Sequence, residues 1–153
     1  MSARRIAFVC SGNICRSPIA AAFAREKFAA RGIPAAIVSC GTLGINGTAA
    51  AAAGVAAMRE VGIDMAGHRS QGLQVPILER ADHIVVMAPR HETLIRQRCP
   101  AALPRIVRMW EFADEDLEQI ADPVGRDIEA FRACRDLLDR CMDNWIDSLV
   151  PEQ

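Results

Sequence analysis

Four short apolar segments alternate with longer segments of helical character along this 153-residue chain. The apolar segments do not alternate with polar residues, as a half-exposed strand would, so each is predicted to be a strand buried on both faces. Strands separated by helices pair in parallel and carry the helices on the faces of the sheet. We therefore predict an α/β fold in a single domain over residues 1–153: a doubly wound, four-stranded parallel sheet with helices on both faces.

Proline, glycine and apolar spacing set the expected boundaries of these segments. Ser17 fits a helix N-cap, Pro18 fits the first helical position, and Gly32 and Gly62 fit helix ends. The last helix carries an apolar stripe with a three- or four-residue repeat, and we expect its two cysteines, Cys134 and Cys141, to pack in the core. Strands are predicted at 5–10, 35–41, 83–87 and 105–110, and helices at 17–32, 47–62, 89–99 and 127–149.

Composition excludes several classes of protein. The net charge of −1 argues against nucleic acid as a partner, and no apolar run approaches the length of a membrane span. No signal peptide is recognisable, which predicts the cytoplasm and reduced thiols. Six cysteines without a CxxC pair, and three scattered histidines, predict neither a metal site nor a disulfide scaffold. We expect no cofactor.

The segment 9–17, with the sequence VCSGNICRS, lies between the first predicted strand and the first helix. Loops at the carboxyl ends of strands are where such folds bind ligands, and the free N–H groups of a helix N-terminus attract anions. Gly12 permits backbone angles that turn consecutive amides inward, and Arg16 adds a guanidinium that matches two phosphate oxygens. The same positive field favours the thiolate of Cys10, the nucleophilic form. The sequence predicts a nucleophile in a phosphate-binding loop.

Attack on a phosphate ester also needs an acid for the leaving oxygen, and the acidic segment 111–125 offers several carboxyl groups. Asp122 stands apart because Pro123 follows it, which favours an extended backbone and stiffens the loop just before the last helix.

The pattern Cys-x5-Arg-Ser at 10–17 is the signature of protein tyrosine phosphatases, and its position near the N-terminus resembles the low-molecular-weight protein tyrosine phosphatase family. The resemblance extends through SCGT at 39–42, GIDMAGHRS at 62–70, ADHIVVM at 81–87 and ADPVG at 121–125. It implies metal-independent hydrolysis of phosphotyrosine in proteins through a phosphocysteine intermediate.

The resemblance also implies a role for each residue of the loop. Cys10 is the nucleophile, Arg16 binds the phosphate, and Asp122, followed by Pro123, is the general acid and then the general base. Cys15 is a redox partner that traps oxidised Cys10 in a disulfide, or else a small packed residue. The supporting residues are Asn13 and His68, which fix the shape of the loop, and Ser17, which bonds to the Cys10 thiolate, caps the helix, or does both. The substrate-binding residues are Ser11, Gly12, Asn13, Ile14 and Cys15.

Ile14 carries the prediction of substrate. Protein-arginine phosphatases, a sister group, typically have threonine there, and an apolar side chain suits an aryl ring better than a charged guanidinium.

Two features depart from the family. Val124 and Gly125 stand where an aromatic residue or a pair of tyrosines usually follows Asp-Pro, and MAPRH at 87–91 replaces a common Met-Asp pattern.

Other activities stay open beside phosphotyrosine hydrolysis: a protein-arginine phosphatase, a thiol-dependent arsenate reductase and a non-catalytic phospho-residue binder. Arsenate reduction needs clustered thiols, but the segment after the third strand holds only Cys99. A binder needs no acid such as Asp122. The expected partners are phosphotyrosine-containing proteins, with a tyrosine kinase as one candidate, and inorganic phosphate or similar oxyanions in the loop. We expect no nucleic acid, no membrane, and a monomer or a weak dimer.

Overall fold

A parallel sheet of four strands forms the centre of the molecule in the computed structural model, which describes residues 2–150. Every neighbouring pair of strands is parallel, and the order across the sheet is β2-β1-β3-β4. The predicted four-stranded parallel sheet is therefore confirmed. The strands are β1 (Arg4–Cys10), β2 (Ala35–Gly41), β3 (His83–Val86) and β4 (Ile106–Arg108).

Helices cover both faces of this sheet. Residues 6–10 of β1 are all buried, which requires a layer on each side of the strand. From β1 the chain moves to β2 on one side, and it then crosses back to β3 and β4 on the other side. Because the crossovers are right-handed, the first helix lies on one face of the sheet, and the helices just before and just after β3 lie on the other face. The helices are α1 (Arg16–Ala30), α2 (Ala52–Glu60), α3 (Val75–Arg80), α4 (Pro89–Arg98) and α5 (Ile128–Leu149).

Trp145 of α5 lies at the centre of the core on the face that α1 and α5 share. Its ring makes edge-on contacts with Phe8 of β1, Phe28 of α1 and His83 of β3, with ring centroids 5.6–6.3 Å apart. Cys134 and Cys141 lie buried on the same helix, as the apolar stripe predicts. The second tryptophan, Trp110, is buried in a short 3-10 helix (Met109–Phe112) just after β4.

Three segments differ from the sequence prediction. The helix expected at 47–62 begins only at Ala52, because residues 47–51 bond to other loops: Gly47 N–H donates to the Ser70 carbonyl, and Ala51 N–H donates to the Ile14 carbonyl. Helix α3 was not predicted, since its six residues show too little periodicity. The strand expected at 105–110 is shortened to three residues because Met109 already begins the 3-10 helix.

Candidate active site

Cys10 is the last residue of β1 and lies at the carboxyl end of the sheet. Its Sγ is 3.0 Å from the Ser17 hydroxyl oxygen and accepts the backbone N–H of Asn13 at 3.3 Å. The residue is 2% exposed, so the sulfur sits at the bottom of the loop that wraps it. We call residues 10–17 the cysteine loop.

Asn13 holds the cysteine loop in shape. Its Nδ2 donates to the hydroxyl oxygens of Ser17 at 2.8 Å and Ser39 at 2.9 Å, and its Oδ1 accepts the backbone N–H of Gln71 at 2.9 Å. The side chain is fully buried, and these hydrogen bonds satisfy its amide group inside the protein. His68 Nε2 lies 2.7 Å from the Asn13 carbonyl oxygen, so the predicted pair of Asn13 and His68 is in contact through the backbone.

Ser17 does not cap the helix, and that prediction is wrong. Helix α1 begins at Arg16, its N-cap is Cys15 without a side-chain cap bond, and Pro18 stands at the third helical position. The buried Ser17 hydroxyl oxygen instead accepts from Asn13 and lies against the Cys10 sulfur. The bond from Asn13 uses only a lone pair of this oxygen, so the hydroxyl proton remains available to point at Cys10 Sγ.

The left-handed residue of the cysteine loop is Asn13, with φ of 58°, rather than the expected Gly12. Gly12 has a negative φ, and a Cβ there would crowd the Ile14 side chain at 3.1 Å while making only an ordinary contact with Ile45 at 3.8 Å. Gly41, at the end of β2, is tighter still: a Cβ would meet the Ser11 carbonyl oxygen at 2.6 Å. The loop therefore rests directly on the backbone of β2.

Arg16 connects the cysteine loop to residues 113–127, which we call the acid loop. Its Nη1 donates to the Ile120 carbonyl at 2.9 Å, and its Nη2 lies 3.3 Å from both Asp122 Oδ2 and the Ser11 hydroxyl oxygen. The guanidinium is 1% exposed, and its Nε is buried with no hydrogen-bond partner among the described residues. A buried, unpaired guanidinium nitrogen is suited to an anionic acceptor.

Asp122 lies at the mouth of the site. Its side chain is 28% exposed, its Oδ2 faces Arg16, and its Oδ1 accepts the backbone N–H of Val124 at 3.1 Å. Pro123 is buried beside it, while Val124 is 53% exposed. The structure thus brings the three predicted catalytic side chains, Cys10, Arg16 and Asp122, to one place.

Cys15 is buried in a small apolar cluster with Ala57 and Phe131, against which Ile14 also packs. Burial, and next the negative charges of Asp122 and Cys10, raise the pKa of the Cys15 thiol to about 12. At neutral pH this residue is a thiol, the form that attacks a sulfenic acid slowly. Its redox role stays a prediction, and the packing role that we set beside it matches its surroundings.

The arrangement brings the Cys10 sulfur, the buried Arg16 guanidinium and the Asp122 carboxyl group to the carboxyl end of the sheet. Among residues 2–150, no cluster of three or more His, Cys, Asp or Glu side chains is placed to hold a metal ion. Within the same residues, every helix is too short or too polar to cross a membrane.

Several residues at the site were not found from the sequence. Ser39 and Gln71 hold Asn13, but they lie 26 and 58 residues away along the chain, and no local pattern links them. His91 was noted only as part of the unusual segment 87–91, yet it is fully buried and its Nε2 lies 3.0 Å from the Ser11 hydroxyl oxygen. The proline that opens α4 places His91 in the first helical turn, which was the available signal.

Comparisons with known proteins agree with this geometry. The model of the family described as low molecular weight phosphotyrosine protein phosphatase matches residues 5–153. A protein-arginine-phosphatase of Geobacillus stearothermophilus is 36% identical and aligns over 97% of this chain and 98% of its own length. A probable low molecular weight protein-tyrosine-phosphatase of Ralstonia nicotianae is 34% identical over 94% of each chain. The solved low molecular weight protein tyrosine phosphatase of T. tengcongensis has a TM-score of 0.89 and 29% identity, covering 95% of this chain and 99% of that one.

Proposed function

Because this chain belongs to the low-molecular-weight phosphotyrosine protein phosphatase family, a family of cysteine-dependent phosphatases, we propose that it hydrolyses phosphotyrosine in proteins with Cys10 as the nucleophile. The observation that carries the chemistry is the convergence of the Cys10 sulfur, the buried Arg16 guanidinium and the Asp122 carboxyl group. Each has a partner that fixes its position before a substrate arrives.

In the first step the Cys10 thiolate attacks phosphorus in line with the tyrosyl oxygen. The S–P bond forms as the P–O bond to tyrosine breaks, and Asp122, as the carboxylic acid, transfers its proton to the departing oxygen. Arg16 and the loop amides of residues 11–16 stabilise the equatorial oxygens, whose charge is spread in the transition state. Ser17 donates to the sulfur and stabilises its thiolate form.

In the second step the Asp122 carboxylate accepts a proton from water as the water oxygen attacks the phosphocysteine. The S–P bond breaks, inorganic phosphate leaves, and the Cys10 thiolate is restored. The hydrogen bond from Ser17 favours the departing sulfur. The cycle is balanced with water as the only co-reactant, and none of its steps uses a metal ion.

Ile14 supports phosphotyrosine over other phospho-residues. Its side chain folds over Gly12 beside Ile45, so two half-buried aliphatic side chains border the cysteine loop. Leu43, which is 67% exposed, belongs to the same border, because its N–H donates to the Ser11 carbonyl at 2.9 Å. An aliphatic border offers dispersion contacts to an aryl ring and no hydrogen-bond partner to a guanidinium.

Phosphoarginine is the second candidate substrate, because a relative with 36% identity is named a protein-arginine-phosphatase. A guanidinium substrate requires a carboxylate partner, which in this site would be Asp122. That carboxyl group already faces Arg16. An aryl ring favours an aliphatic border beside the cysteine loop, whereas a guanidinium favours polar groups there. A substitution that makes this border more polar therefore distinguishes the two substrates.

The test measures kcat/KM for matched peptides that carry phosphotyrosine or phosphoarginine. Both the wild-type chain and the Ile14→Thr variant are assayed in the presence of a metal chelator. We expect a higher kcat/KM for phosphotyrosine in the wild type, and a shift towards phosphoarginine in Ile14→Thr. A wild-type preference for phosphoarginine would overturn the assignment of substrate. Cys10→Ser is the control for chemistry: turnover of p-nitrophenyl phosphate retained in it would overturn Cys10 as the nucleophile.

The proposed partners follow from the same chemistry. They are proteins that carry phosphotyrosine, with a tyrosine kinase as one candidate, and the proposed compartment is the cytoplasm. Inorganic phosphate, the product, is expected to bind in the cysteine loop as a competitive inhibitor.

A further inference from the structure

His91 is a buried titratable residue that the proposed reaction does not use. It is fully inaccessible to solvent and occupies the first turn of α4, within the segment 87–91 that departs from the family pattern. Buried histidines are held by hydrogen bonds at both ring nitrogens, so its two partners define what the ring does.

The partners of His91 fix its tautomer. The backbone N–H of Ala88 lies 3.1 Å from Nδ1, and since an amide nitrogen can only donate, Nδ1 must carry the lone pair. The proton of the neutral ring is then on Nε2, which points at the Ser11 hydroxyl oxygen 3.0 Å away. Burial, with the nearby positive charges of Arg16 and Arg90, lowers the His91 pKa to about 3, so the ring is neutral under ordinary conditions.

The Ser11 hydroxyl oxygen is surrounded by donors. His91 Nε2 lies at 3.0 Å, Arg16 Nη2 at 3.3 Å and Arg90 Nε at 3.4 Å. A hydroxyl has two lone pairs and one proton, so these three donors more than fill its capacity to accept. Its own proton must point away from all three, towards an acceptor on the open side of the loop.

We propose that the Ser11 hydroxyl donates a hydrogen bond to an oxygen of the substrate's phosphoryl group, and that His91 is the positioning residue that aims it. Ser11 directly follows the nucleophile Cys10, and its oxygen shares Arg16 Nη2 with the carboxyl group of Asp122. A donor aimed before the substrate binds costs no reorganisation in the transition state. This inference rests on the proposed function and deepens it.

Two substitutions of His91 separate its two hydrogen bonds. In His91→Asn the amide oxygen can replace Nδ1 as the acceptor for Ala88 N–H, but the side chain is too short to reach Ser11. In His91→Gln the amide NH2 can replace Nε2 as the donor to Ser11, and the bond to Ala88 is lost instead. We expect His91→Asn to lower kcat/KM for p-nitrophenyl phosphate about 10-fold and to weaken competitive inhibition by inorganic phosphate. His91→Gln should retain more of both properties.

Substitutions of Ser11 test the donor itself. Ser11→Ala should lower kcat/KM about 10- to 100-fold, at or below the effect of removing one oxyanion-hole donor. Ser11→Thr, which keeps the hydroxyl, should restore most of it. The double variant Ser11→Ala/His91→Asn should be no slower than Ser11→Ala alone, because His91 acts through Ser11. All assays are run at a temperature well below the thermal unfolding midpoint of each variant.

Additive losses in the double variant, or equal activity in His91→Asn and His91→Gln, would overturn the positioning role. Equal phosphate inhibition constants in Ser11→Ala and the wild type would overturn the hydrogen bond to the phosphoryl group. If His91→Asn does not fold, the comparison of Ser11→Ala with Ser11→Thr still decides whether the hydroxyl matters. Failure of the proposed function is recognised separately, by turnover retained in Cys10→Ser.

Discussion

The two loops that meet at the active site are built in opposite ways. The cysteine loop is short and mostly buried, and the single side chain of Asn13 bonds to Ser17 of α1, to Ser39 of β2 and to the backbone of Gln71. The acid loop is longer and mostly exposed. Its attachments to the site run mainly through Ile120, whose N–H donates to the Met87 carbonyl at 2.8 Å and whose carbonyl accepts from Arg16.

This difference separates two requirements of the reaction. Attack at phosphorus needs the sulfur and the oxyanion donors at fixed positions, which a network of buried hydrogen bonds provides. Proton transfer needs a carboxyl group that can reach first the leaving oxygen and later a water molecule, and an exposed loop can adjust to both. The cysteine loop should therefore contribute strongly to both stability and catalysis, and the acid loop mainly to catalysis.

Asp122→Asn should give the largest effect on the acid-loop side of this comparison. Loss of the acid should lower kcat for poor leaving groups about 10²- to 10⁴-fold, with a smaller loss for p-nitrophenyl phosphate, whose leaving group needs little protonation. The unfolding transition should change little because Asp122 is partly exposed. An equal loss across a series of aryl phosphates would place the acid at another residue.

Asn13→Ala should lower both stability and activity. It removes the partners of Ser17, Ser39 and the Gln71 N–H, and alanine tolerates the positive φ at this position less well than asparagine does, so we expect unfolding in urea to become easier by about 2–4 kcal/mol. Asn13→Gly is the matched control, since it loses the same bonds without the backbone strain and should be about 1 kcal/mol more stable than the alanine variant. If Asn13→Ala unfolds at the same urea concentration as the wild type, the hydrogen bonds of the Asn13 side chain have no structural role.

The support of the cysteine loop by His91 should appear in the pH dependence of stability. The pKa of His91 falls from 6.5, the ordinary value, to about 3 in the folded chain, so between these values the unfolded state binds the extra proton. The free energy of unfolding should therefore decrease as the pH falls through this window, by at most about 1.4 kcal/mol per pH unit. His91→Asn lacks this contribution, so the stability gap between wild type and variant should narrow from pH 7 to pH 4. A constant gap would contradict the lowered pKa.

Pro123→Ala should give the smallest effect. Proline reduces the conformational freedom of the unfolded chain, so its loss should cost about 0.4–1 kcal/mol of stability. Looser placement of Asp122 should reduce kcat by less than the reduction in Asp122→Asn. A kcat loss as large as that of Asp122→Asn would show that the acid loop is as preorganised as the cysteine loop, and the contrast between the two would fail.

The sequence predicted the parts of this molecule that depend on local patterns. The strands appear as apolar runs, and Cys10, Arg16 and the Asp122–Pro123 pair are recognisable by type and spacing. The predictions that were wrong or missing depend on distant contacts. Ser17 resembles a helix cap, but Asn13 and Cys10 take its hydroxyl, and residues 47–51 resemble a helix, but their N–H groups bond to other loops. His91 meets Ser11 only because α4 follows β3, the strand that pairs with β1.

The tryptophans give an optical means of following these two regions. The chain has two tryptophans and no tyrosine, so its intrinsic fluorescence arises from Trp145 in the core and Trp110 at the beginning of the polypeptide that leads into the acid loop. In Trp110→Phe the remaining emission would report on the core alone. The absence of tyrosine has a further benefit, because the tyrosine emission that appears when a phosphotyrosine peptide is dephosphorylated would have no background of the same kind from the enzyme.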